Sequence, residues 1–180
     1  MTKSIKLNSG KIINMRDDIN AQKKKYWGYI KTQNLLSKKE IKNGYRTHDL
    51  KSLYTEITQM ADKLVIIKGM LFYLNMGITT FNLADFKKTN NYSIFMACEL
   101  KEQIAQLKMI PTLDPKTKAQ KGLKNIGKEE VFTSAKIAAL IKDLQVKATK
   151  YDADMEKFND NTEITLDEAT APMFESDIAI

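Results

Sequence analysis

Residues 152–163 read DADMEKFNDNTE, and how they fold decides how the whole chain folds. Asp152, Asp154, Glu156, Asp160 and Glu163 fall at the spacing of the oxygen ligands in an EF-hand calcium loop. The same residues also continue an apolar seam. Ile137, Ile141, Leu144, Ala148, Tyr151, Met155 and Phe158 recur three and four residues apart, which is the period of a helix. In a helix the first three acids point in different directions and cannot converge on one cation. A calcium loop also needs Gly at its sixth position for the sharp turn, and Lys157 stands there. The stretch therefore reads as the charged end of a long helix, with no metal ligands assigned.

Working outward, the same period recurs three more times. Asn8 and Ser9 are plausible N-caps for a first helix over 9–36, with Ile12, Met15, Ile19, Tyr26 and Ile30 on one face. A polar connector, SKKEIKNGYR, follows with an Asn43-Gly44 turn signal. A second helix over 48–76 carries Leu50, Leu53, Ile57, Met60, Leu64, Ile67, Leu71 and Leu74, and its stripe is wide enough to lie deepest. A third is expected over 82–110, capped by Asn82 with Asp85, irregular near residue 90 and stopped by Pro111. Residues 111–133 lack periodicity and read as a long basic loop; 134–160 form the last helix and 161–180 an acidic tail that docks through Met173 and Phe174. The expected fold is all-α: an elongated, antiparallel, coiled-coil-like four-helix bundle in one domain, residues 1–160.

Composition agrees. Seven Gly and three Pro in 180 residues favour long helices over many short strands. A single cysteine excludes an intramolecular disulfide, and together with a single histidine it leaves no zinc cluster. The most apolar window, residues 64–78, is shorter than a membrane span and contains Lys68. The N-terminus has no apolar core of a secretory signal, so a cytoplasmic, or virion-associated, protein is expected. The net charge of +7 conceals a gradient. Residues 1–46 hold 12 Lys/Arg against 3 Asp/Glu, whereas residues 158–180 hold 6 acids and no base. Such asymmetry suggests an anionic partner for the basic part or a tail that shields it.

Catalytic patterns are absent from the sequence: there is no nucleophile elbow, Gly-rich phosphate loop or HExxH motif. Glu129/Glu130 and Asp17/Asp18 read as solvated acids, His48 as part of a helix start and Cys98 as a small core residue. No cofactor or catalytic residue is assigned. Two basic segments stand out as candidate contacts with a partner or nucleic acid. One is KKKYWGYIK, with Lys23, Lys24, Lys25, Trp27 and Lys31; the other is the loop with Lys116, Lys118, Lys121, Lys124 and Lys128. The bland alternative for the first leaves Tyr26 and Ile30 in the core and the lysines in water.

The segment YDADMEKFND resembles the ending L-D-x-x-I-Q-x-x-N-W of a group of small helical bacterial proteins, the septicolysin-like family. Tyr151 and Asp152 stand for Leu-Asp, Met155 and Glu156 for Ile-Gln, Asn159 keeps the Asn and Asp160 replaces the Trp. LNMGI at 74–78 looks like that family's I-N-x-T-N turn, and LAD at 83–85 is similar to its L-x-D helix start. The resemblance implies an all-helical antiparallel fold and no established catalytic residues. Its lytic label would imply membrane damage, for which this chain has no amphipathic basic helix of the membrane-surface type. The expected function is a non-enzymatic interaction or structural protein that self-associates in a larger assembly. A Lys-, Asn- and Ile-heavy composition suggests an AT-rich genome, such as a low-GC bacterium or its phage. The alternative is a nucleic-acid-binding accessory factor.

Overall fold

In the computed structural model, which describes residues 5–113, 127–166 and 170–173, the chain is mostly helical. Helix α1, Ser9–Gln33, begins where the Asn8 side chain accepts a hydrogen bond from the Lys11 N–H at 2.9 Å. It ends three residues earlier than expected. Leu35–Ser37 instead form a short strand, β1, and Ser37 then caps a one-turn helix, α2 (Lys38–Lys42), through a reciprocal capping box with Glu40. The Ser37 contacts hold the Glu40 carboxyl below its usual range.

Asp49 caps α3, Leu50–Asn75, by accepting from the Lys51 and Ser52 N–H groups. Leu50, Leu53, Ile57, Met60, Leu64 and Ile67 are buried along it, as the heptad stripe requires. The helix expected over 82–110 is two. Asn82 caps α4, Leu83–Phe86; the chain then breaks, and Thr89 caps α5, Asn90–Lys108. The break has a packing cause. Phe86 is fully buried against Gly69 of α3, where an added Cβ would collide with the ring. Thr89 closes that turn by donating its hydroxyl to the Phe86 carbonyl at 2.7 Å while accepting from the Tyr92 N–H. Tyr73, Phe81, Tyr92 and Phe95 surround the Phe86 ring.

The segment expected as an unbroken loop contains a second strand, β2 (Lys128–Glu130), antiparallel to β1 with Leu36 opposite Glu129. Helix α6, Ser134–Asn161, starts on the Thr133 cap and runs unbroken through the acids of the opening stretch. Asp152 pairs with Lys101 of α5 at 2.8 Å. The seam faces inward at Ile137, Leu144 and Ala148, but fades at its far end, where Phe158 is exposed. In the tail a single 3-10 turn, Ala171–Met173, is described; Met173 is exposed rather than docked, and Phe174 lies outside the described residues.

Helix α5 packs along α6, α1 along α3, and α3 against α5. The main core joins Trp27 and Ile30 of α1, Leu50 and Ile57 of α3, Leu107 of α5, and Phe132 with Ile137 before and within α6. Among the described residues no helix is long and apolar enough to cross a membrane.

Candidate functional site

The buried stripe of α1 runs through Ile12, Lys23, Trp27 and Ile30, and Met15 of the expected face is exposed. A lysine thus occupies a core position. Its ammonium lies 2.5 Å from the Glu99 carboxylate and 2.7 Å from that of Glu102, both on α5. The other Glu99 oxygen takes Lys68 of α3 at 2.7 Å. Desolvating Lys23 and Glu99 is costly, and only this close, mutually hydrogen-bonded geometry compensates. Lys23, expected on a partner surface, therefore serves to tie α1, α3 and α5 together.

Trp27 is likewise not free to stack on bases. It is 2% exposed, with its ring edge against Tyr54 at 6.0 Å between centroids. Its indole N–H has no acceptor among the described residues. The remaining members of the segment split. Lys24 is exposed and unpaired among the described residues; Lys25 lies over the Tyr29 ring at 5.8 Å; Lys31 donates to the Gln106 side-chain oxygen at 2.6 Å. Between α1 and α5 these residues border a groove of about 510 Å³, walled by Lys24, Gly28 and Lys31 on one side and Glu102 and Gln106 on the other.

The lower ends of the long helices meet at a residue that sequence reasoning passed over. Asn34 is fully buried. Its Nδ2 donates to the carbonyls of Pro111 at 2.7 Å and Phe132 at 3.0 Å, and its Oδ1 accepts the Phe132 N–H at 2.7 Å. Arg46 reinforces the junction by donating to the Gln33, Asn34 and Glu129 carbonyls, and Gln33 pairs its side-chain amide with Thr47 in both directions at 3.0 Å. His48 stacks on Tyr29 at 4.0 Å, which accounts for it as packing. Glu130, read as a solvated acid, accepts the Leu113 N–H at 2.7 Å. Around this junction Lys38, Lys39, Lys42 and Lys128 are exposed, forming a basic end. Lys116, Lys118, Lys121 and Lys124 lie outside the described residues. Cys98, expected in the core, is exposed.

The opposite end is apolar. Ile12 at the start of α1 and Met70, Tyr73 and Leu74 at the end of α3 share a groove of about 700 Å³ with Leu7 and Phe81. Ile5 and Ile78 also line it and are 81% and 40% exposed, and Met76, between Leu74 and Ile78 in the chain, is 60% exposed. Side chains of this kind scattered singly are ordinary; here they gather around one groove.

No protein-family model, curated protein or solved structure matches this chain.

Proposed function

We propose that this chain is a non-enzymatic helical interaction protein, an antiparallel four-helix bundle that associates with a second copy of itself through its apolar end. The observation that supports this most is the groove beside Leu74, lined in part by the exposed Ile5 and Ile78, with Met76 exposed at the same end. Projecting side chains and a concave apolar surface on the same end are what a two-fold, self-complementary interface needs. Such pairing is the elementary step of a larger assembly, such as a phage particle, and the acidic tail and basic end supply further surface for it.

Sedimentation velocity over a wide concentration range tests this reading. The wild type should populate a dimer or larger species, and Met76→Glu with Ile78→Glu should return a monomer of unchanged helicity. A wild type monomeric at every concentration would refute it.

A second reading rests on the basic end, where Lys38, Lys39, Lys42 and Lys128 are exposed around the two strands. They would contact nucleic-acid phosphates without base stacking, because Trp27 is buried. Binding should then weaken steeply with salt, and Lys39→Glu with Lys42→Glu should lower the slope of log K against log salt by roughly two. No shift of an RNA or DNA probe at low salt would remove this alternative.

A further inference from the structure

We infer that the groove between α1 and α5 is a binding site for a small oxyanion, a phosphate or carboxylate group, received by the Trp27 indole N–H and the Lys24 ammonium. Buried donors in folded proteins are almost always paired, and the Trp27 N–H has no partner among the described residues. An indole nitrogen donates only, so the missing partner is an acceptor. Lys24, one helical turn before it, is an exposed cation with no partner among the described residues. One turn after it, Lys31 is held by the neutral Gln106 oxygen at 2.6 Å, which a charged oxygen would displace because charge-assisted bonds are the stronger ones. The groove's carboxylate, Glu102, lies 2.7 Å from Lys23 and so leaves the charges of Lys24 and Lys31 uncompensated.

Gly28 adds an independent observation. It sits within α1, where glycine weakens a helix, and no heavy atom lies within 4 Å of the Cβ it lacks, so close packing does not explain it. What its bare backbone does is open the groove wall. A volume of about 510 Å³ exceeds a lone ion and suits a small phosphorylated or carboxylated molecule.

Trp27 is the sole tryptophan, so its emission reports on this site alone. The full chain should be titrated with inorganic phosphate and, separately, with succinate, each against sodium chloride at matched ionic strength. A saturable change in emission is expected with at least one of them; a response to phosphate alone assigns a phosphoryl ligand and a response to succinate alone a carboxylate. Lys24→Met should weaken binding about tenfold. Gly28→Leu should abolish the response while circular dichroism and the thermal midpoint hold or rise. The inference fails if emission follows ionic strength alone, if neither anion acts, or if affinity survives both substitutions. Should Gly28→Leu not fold, Lys24→Met decides, since that side chain is exposed.

Discussion

Asn34 and Lys23 show how single polar side chains hold this fold together. The Asn34 carboxamide satisfies the buried carbonyl and N–H of Phe132 and also bonds the Pro111 carbonyl. Asn34→Ala should therefore cost about 3 kcal/mol, and lower Tm by roughly 6–12 °C in a chain of this length, as measured by calorimetry. Asn34→Asp should be worse, because it loses the donor and turns a carboxylate toward two carbonyls. Lys23 behaves differently, since its energetics belong to a pair. Lys23→Met strands part of the Glu99 charge and should cost about 3 kcal/mol in a denaturant titration. Lys23→Met combined with Glu99→Leu should recover most of that, because Lys68 and Glu102 both reach water and can be solvated. A double variant clearly less stable than the wild type would show that the pair is net stabilising over an apolar replacement.

Between elements, the helices α3 and α6 were legible in the sequence because their apolar seams are unmixed: Leu50, Leu53, Ile57, Met60, Leu64 and Ile67 of α3 are buried, as are Ile137, Leu144 and Ala148 of α6, with Ile141 half-buried. Asn8, Asp49, Asn82 and Thr133 cap helices as their side chains allow. The misreadings have physical causes. A lysine in the core stripe of α1 shifted the apparent face toward Met15 and hid Trp27. The break before α5 depends on Phe86 meeting Gly69, a contact between residues on different helices that no local pattern encodes. The two strands exist only as each other's partners, so Leu35–Ser37 alone looks like more helix and Lys128–Glu130 like loop. The candidate groove was half legible: KKKYWGYIK marked the right turn of α1, but not which of its members are buried. The α5–α6 contact carries a pH dependence of its own. Tyr92, edge-on to Tyr151 at 6.0 Å, has its hydroxyl pushed up to about 12, first by burial and then by Tyr151 and Asp62. The neutral phenol is favoured in the folded state, so this contribution is intact below pH 10 and lost as pH climbs through about 12. Tyr92→Phe should flatten the stability decline in that window and remove one late-ionising tyrosine from an ultraviolet titration.

Over the whole molecule the surface is polarised along the helices, with lysines around the strands at one end and Ile5, Met76 and Ile78 at the other. Copies paired through the apolar ends would carry their basic ends outward. Dimer strength should accordingly be nearly indifferent to salt, whereas any polyanion binding should not be; sedimentation at low and high ionic strength separates the two. The junction at Asn34 has a kinetic corollary. Its three bonds reach Pro111 and Phe132, 77 and 98 residues further along the chain, so they cannot form until both halves have come together. That much loop closure places the lock late on the folding route, after α1 has packed on α3. Cutting it should leave the refolding arm of a chevron nearly untouched and steepen the loss on the unfolding arm, so that one carboxamide governs how long each native molecule persists.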